Sequence, residues 1–337
     1  MTRVTLHDAS LRDGQHAVRH QLSSQAMSAY ASAIDATGVS VVEVGHGNGL
    51  AASSLQVGLA ALTDQEMLRA VRPCLKRARL GIFFLPGWAR ITDLDMAIGE
   101  GVDVVRIAAH CTEANVTFRY LGHAAKAGLF TQGILLMSHM ATPAQLAAAA
   151  RDMVEAGAQA VGMFDSAGSY LPGDVEERVG ALAAAVDVPV IFHAHDNLGL
   201  AVANSLAAAQ AGAQIIDACA LGFGAGAGNG RIEQVVPVLN RAGFETGIEL
   251  YPLFEAIRVA QEVLTRAPPH SDELSIVSGL GGVFSGFKTK VLEASRRHGV
   301  DPRDLFFELG RRKAVAGQED LIDLAAREMA MRAVESA

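Results

Sequence analysis

The chain has 337 residues, 50% hydrophobic and 19% charged, which excludes an intrinsically disordered protein and leaves room for one large domain or a domain with an extension. Asp and Glu number 36 against 28 Lys and Arg, and the formal net charge of -8 argues against a surface built to neutralise nucleic-acid phosphates. Cys74, Cys111 and Cys219 stand far apart with no Cys-x-x-Cys spacing, so neither a disulfide framework nor a thiolate metal site is expected, and a reducing cytoplasm fits best. No basic segment followed by an apolar run opens the chain, so no secretory signal is expected. Residues 197–216 carry no charge but are interrupted by Asn204, Ser205, Gln210 and Gln214; they read as a buried helix rather than a membrane span.

Short apolar or β-branched runs recur at residues 4–6, 39–44, 80–85, 102–107, 131–137, 158–164, 188–192 and 214–220. Eight such runs, separated by Ala- and Leu-rich segments with helical spacing, predict a (β/α)8 barrel. Thr142-Pro143 predicts a helix start, and Gly38 and Gly157 stand where helices should stop. An open doubly wound sheet would show a glycine-rich first turn, whereas the first turn here reads HDASLRD from residue 7. After Gly247 the rhythm changes. Residues 251–266, 284–298, 302–313 and 318–331 read as helices with no strands between them, Pro268-Pro269 marks a break and Asp301-Pro302 a cap. The expected organisation is a catalytic barrel over residues 1–258 and a helical extension over 259–337.

In a barrel of this kind, chemistry belongs just beyond the strand ends. Arg12, Asp13 and His16 follow the first strand; Glu43, His46 and Asn48 the second; His110 the fourth; Ser138 and His139 the fifth; Asp165 and Ser166 the sixth; His193, His195 and Asn197 the seventh. His193 and His195 are two apart on an extended run, so both rings project to one side. Paired polar residues at a strand edge would look the same. Asp13 suggests more, because a carboxylate from the first strand end and two imidazoles from the seventh form a facial oxygen and nitrogen set suited to Mn²⁺ or Mg²⁺ and less to Zn²⁺. A helix N-terminal carboxylate or a partner for an arginine is the plainer role for Asp13. Arg12 is placed to stabilise developing negative charge, or to pair with Glu43 or Asp165. His16 is a candidate general base, and His20 reads as a surface residue. Cys111 and Cys219 read as small buried apolar residues. The glycine run from Gly222 to Asn229 offers tight backbone packing or contact with a substrate, not a dinucleotide fingerprint. The basic pairs at 296–297 and 311–313 read as a solvated face or a protein interface.

Six segments, LHDASLRDGQH (6–16), VEVGHGNGL (42–50), AHCTE (109–113), MSHM (137–140), FHAHDNL (192–198) and GAGAGN (224–229), together resemble the 4-hydroxy-2-oxovalerate aldolases. The likeness continues through ELGRRK (308–313) and GQED (317–320) and so covers nearly the whole chain. More distantly the pattern is similar to metal-dependent lyases and condensing enzymes such as hydroxymethylglutaryl-CoA lyase and isopropylmalate synthase. The resemblance implies that Asp13, His193 and His195 hold a divalent metal, usually manganese, that Arg12 and His16 are catalytic, and that Phe83, Leu85 and Ser166 line the substrate pocket. It also implies a helical extension docked to an acylating aldehyde dehydrogenase. Three departures stand out: Leu280 and Phe284 occupy a segment where the family usually carries a tyrosine, Phe83 and Phe84 replace aliphatic residues, and Asp196 stands where a histidine is common. The implied reaction is cleavage of a 4-hydroxy-2-oxo acid to pyruvate and an aldehyde. An acyl-CoA-dependent Claisen-type reaction and a degenerate barrel serving as a dehydrogenase subunit are the competing readings.

Overall fold

In the computed structural model, which describes residues 2–315 and 317–335, eight parallel strands pair in chain order and the eighth closes on the first. They are β1 (Thr5–Leu11), β2 (Val41–Val44), β3 (Arg79–Phe84), β4 (Val104–His110), β5 (Phe130–Leu136), β6 (Ala160–Asp165), β7 (Val190–Ala194) and β8 (Ile215–Ala218). Helices α1 (Ser24–Asp35), α2 (Asp64–Val71), α3 (Ile91–Gly99), α4 (Phe118–Lys126), α5 (Pro143–Glu155), α6 (Pro172–Ala185), α7 (Ala201–Gln210) and α8 (Ile232–Arg241) follow the strands in turn. Strands covered on both faces have no polar side to show water, which is why β2 reads Val-Val-Glu-Val and is buried throughout. The Thr142 hydroxyl accepts from Gln145 N–H, the Gln145 side chain accepts from Thr142 N–H at 2.9 Å, and Pro143 fixes the first turn of α5.

Two expectations need correction inside the barrel. The first strand does not stop at Leu6 but continues to Leu11, so His7, Asp8 and Ser10 are strand residues rather than loop. Their polarity imitated a turn because each finds a buried partner elsewhere in the fold. His7 faces Asp217 on β8 at 3.9 Å, and Asp8 accepts from the Tyr30 hydroxyl on α1. The uncharged stretch 197–216 is a helix only over α7; its end already belongs to β8.

Beyond the barrel come α9 (Leu250–Val263), α10 (Glu273–Gly281), α11 (Lys288–His298), α12 (Pro302–Arg311) and α13 (Asp320–Glu335). Helix α9 packs against α1 and contributes Leu253, Ala256 and Ala260 to the barrel's core. Helix α10 had no counterpart in the sequence reading, because glycines at 279, 281 and 282 disguise its end; Asp272 caps it by accepting from Ser275 N–H at 2.9 Å. With α11 to α13 it encloses a separate apolar core around Val283, Phe287, Val291, Leu305, Phe306 and Ile322. No helix among the described residues is long and apolar enough to cross a membrane.

Candidate active site

β1 turns directly into a 3-10 helix, Asp13–Val18, which places Arg12 and Asp13 at the carboxyl-terminal mouth of the barrel, one strand removed from β7. One carboxylate oxygen of Asp13 and one ring nitrogen from each of His193 and His195 lie within 4.8 Å of one another, and all three residues are buried. Asp13 Oδ1 accepts from Arg12 Nη1 at 2.7 Å, while Oδ2 accepts from Asn229 Nδ2 at 2.7 Å and Ala225 N–H at 3.2 Å. Burial pushes the Asp13 carboxyl up, but the Arg12 guanidinium together with the imidazoles of His195, His16 and His193 outweighs it and holds the group ionised, well below the usual carboxylate range. Burial likewise takes the His195 imidazole down to about 4 against the opposing pull of Asp13, so that ring is neutral at pH 7.

Beneath this set runs a buried chain of charge. Arg12 Nε donates to Glu43; Arg106 donates to Glu43 Oε2 at 2.6 Å and to Asp217 Oδ2 at 2.6 Å; Asp217 in turn accepts from His193 Nδ1 at 2.9 Å. A carboxylate bonded to Nδ1 fixes the proton there and leaves the Nε2 lone pair of His193 facing the site, the arrangement that orients metal-binding imidazoles. The Nε2 of His193, the Nδ1 of His195, the Oδ1 of Asn229 and the Nη2 of Arg12 are buried with no hydrogen-bond partner. Such atoms are costly unless a ligand completes them. The donor set therefore fits a divalent cation, with Arg12 Nη2 left over for an anionic oxygen.

Arg12 is also held from below. The Phe83 ring lies 4.5 Å from its guanidinium carbon, Phe164 sits 5.9 Å from Phe83, and Phe164 stacks on His193 at 4.3 Å. Leu85 packs with Phe83 in the apolar cluster inside the barrel, and Ser166 follows β6 with its hydroxyl accepting from Met137 N–H at 3.1 Å.

His16 stands at the edge of this group, where a cavity of about 410 Å³ opens between His16, His20, Ala225, Phe284 and Lys288. Burial lowers the His16 pKa, with Asp13 acting in the opposite sense. The imidazole lies so close to Gly47 that a Cβ there would come within 2.5 Å of the ring. His20 is not a surface residue. A left-handed backbone, φ 61°, turns it inward; it is 4% exposed, stacked on His46 at 3.6 Å and edge-on to His16 at 5.1 Å. Sequence missed this because nothing local signals a left-handed residue that is not glycine.

Other candidates lie apart from the metal-type set: His46 bonds Gly58 carbonyl, His110 bonds Thr112, and His139 bonds Gly282 carbonyl. Cys111 and Cys219 are buried thiols. Of the two partners considered for Arg12, Glu43 is the one it meets. The glycine run serves tight packing, since a Cβ on Gly224 would fall 2.4 Å from Asn229 Nδ2 and 2.7 Å from Asp13 Oδ2. Arg106, Asp217 and Asn229 escaped the sequence reading as site residues; for Asn229 its place at the end of that run was the available signal.

A closed parallel barrel with Arg12-Asp13 after its first strand and a His-x-His on its seventh defines a barrel lyase of the HMGL-like type, and the family model of that description matches residues 3–260. A second family model, the DmpG-like communication domain, matches residues 269–331. The chain is 59% identical over 319 residues to a 4-hydroxy-2-oxovalerate aldolase of Streptomyces tendae, covering 95% of this chain and 89% of the relative. To that of Serratia proteamaculans (strain 568) it is 58% identical, covering 95% and 96%. The N-terminal domain of a putative aldolase from Bacteroides vulgatus shares the fold, with a TM-score of 0.73 at 22% identity over 87% of this chain and 98% of that one. The chain thus belongs to the 4-hydroxy-2-oxovalerate aldolase family, and it is a carbon-carbon lyase.

Proposed function

We propose that this protein reversibly cleaves a 4-hydroxy-2-oxo acid, of the 4-hydroxy-2-oxovalerate kind, to pyruvate and an aldehyde, with Asp13, His193 and His195 holding Mn²⁺ or a similar divalent ion. The observation that carries this reading is the unpartnered Nη2 of a buried Arg12, set beside a three-residue cation site. When bound, the cation supplies Lewis-acid polarisation of the 2-oxo group. His16, neutral because it is buried, takes the C4 hydroxyl proton. The C3–C4 bond breaks, the C4 carbonyl forms and leaves as aldehyde, and the electron pair passes toward the C2 oxygen. Arg12 holds the resulting enolate charge, and a proton returned to C3 completes pyruvate. Phe83, Leu85 and Ser166 shape the pocket, and Phe284 puts a ring without a hydroxyl in the wall of the cavity that His16 also lines.

Charge supports the same reading. Arg12 and Arg106 oppose Asp13, Glu43 and Asp217, which leaves one negative charge buried; a divalent cation and a monoanionic acid together restore neutrality. The helices within 259–337 are the docking region for an acylating aldehyde dehydrogenase that takes the aldehyde. This rests on the communication-domain match and on exposed Ile276, Leu280 and Phe307 on α10 and α12. The three unpaired thiols fit a reducing cytoplasm.

The test is pyruvate release from 4-hydroxy-2-oxovalerate with Mn²⁺ and no CoA. Arg12→Ala should lower turnover by about 10² to 10³, the usual cost of an oxyanion donor, and Asp13→Ala should lose Mn²⁺ binding. Turnover only with an acyl-CoA would favour the Claisen-type reaction, and parent-like kinetics in either variant would overturn the assignment.

A further inference from the structure

Four loops at the barrel mouth grip one stretch of the C-terminal helices, and the tightest grip falls two residues from His195. Asn197 is fully buried. Its Nδ2 donates to the Ser275 carbonyl at 3.0 Å, its Oδ1 accepts from the Ser285 hydroxyl at 2.9 Å, and its own carbonyl accepts from the Ser271 hydroxyl at 2.7 Å. Ser285 is 3% exposed, and its N–H and hydroxyl each reach the Ser166 carbonyl at 3.3 Å. Glycines make room for this joint: a Cβ on Gly168 would meet Asn197 Oδ1 at 2.5 Å, and one on Gly226 would meet the Ser285 Cβ at 2.7 Å. Elsewhere the same seam is thinner, with His139 Nε2 and the Gly282 carbonyl 3.0 Å apart.

His195 is joined to Asn229 by an isolated antiparallel bridge, but residues 196–200 between it and α7 form neither strand nor helix, so the backbone leaving the imidazole depends on its neighbours for a fixed direction. We propose that Asn197, clamped by Ser275 and Ser285, is a positioning residue for His195, which makes the C-terminal helices a structural part of the cation site as well as a docking region. The proposal rests on the reading that Asp13, His193 and His195 hold a divalent cation. A buried carboxamide with both ends bonded leaves one low-energy arrangement for the backbone that follows the imidazole. Losing such an outer partner typically weakens metal binding by about 10- to 100-fold. A shift of α10 against the barrel is transmitted to His195 along the same bonds.

The experiment titrates Mn²⁺ into the full-length, metal-stripped protein by calorimetry, using the parent chain, Asn197→Ala, Ser285→Ala and His139→Ala. Ser285→Ala removes a single hydroxyl and keeps the test open if Asn197→Ala fails to fold. About a tenfold or greater rise in Kd is expected for Asn197→Ala and Ser285→Ala, with Kd in His139→Ala within about threefold of the parent. Excess Mn²⁺ should then return the turnover of Ser285→Ala toward the parent value, which a general packing defect would not allow. Parent-like Kd in the Asn197 and Ser285 variants overturns the proposal, as does an equal loss in His139→Ala, which would mean general loosening of the seam. A parent protein that takes up no Mn²⁺ overturns the cation reading itself, and the proposal with it.

Discussion

Arg106 is the side chain on which the two halves of the site depend. It is wholly buried, pairs with Glu43 and with Asp217, and so connects the guanidinium of Arg12 to the imidazole of His193. Arg106→Met would leave Glu43 to Arg12 alone and Asp217 with no arginine, and breaking one side of such a pairing costs about 3 to 5 kcal/mol. The expected outcome is a lower denaturation midpoint together with at least about a tenfold rise in the Mn²⁺ Kd. Arg106→Lys, a point charge that cannot span both carboxylates, should fall between. An unchanged Kd in Arg106→Met would dissolve the link to His193. Residues of this kind were hidden in the sequence for a physical reason: Glu43 and Asp217 lie 63 and 111 positions from Arg106 along the chain, and their meaning is in the pairing. Arg12, Asp13, His193 and His195 were legible because they stand in the polar segments that come after apolar runs, where the barrel itself says chemistry should sit.

At the level of elements, the loop after β2 shows how backbone disposes side chains. Gly47 offers its carbonyl to Arg12 Nη1 at 3.1 Å and its bare Cα to the ring of His16. Gly47→Ala should displace His16, and misplacing a reacting group by about 1 Å can cost about 100-fold in rate. Steady-state pyruvate release is therefore expected to fall by that order while calorimetry finds Mn²⁺ binding unchanged. Full activity would remove His16 from the role of base. The existence of every strand was readable from apolar runs, but where β1 ends was not, because His7 and Asp8 are polar residues buried inside the fold. Helix α10 was hidden by its own small residues, which pack against the barrel loops rather than announcing a hydrophobic face.

Across the whole molecule, buried histidines set the response to acid. Burial holds His7 and His20 near pKa 3 and His46, His139 and His195 near 4, against 6.5 when free. Below about pH 6 the unfolded chain therefore takes up five protons that the folded chain refuses. Asp8 and Asp165 act the other way: burial raises both to about 6 from 3.8, so the folded chain takes up two that the unfolded chain does not. Three protons remain in favour of unfolding, and at about 1.4 kcal/mol per unit each, stability should fall by about 4 kcal/mol per pH unit near pH 5. Urea titrations of the metal-free protein at pH 7.5 and 5.0 check this; an equal or higher midpoint at pH 5.0 would contradict it.

Closure of the sheet from β8 back to β1 has one last consequence. A ring of strands has no free rim at which another polypeptide could add a strand through main-chain hydrogen bonds. Whatever this barrel assembles with must then be recognised by side chains on helices and loops, so its choice of company is open to revision one substitution at a time.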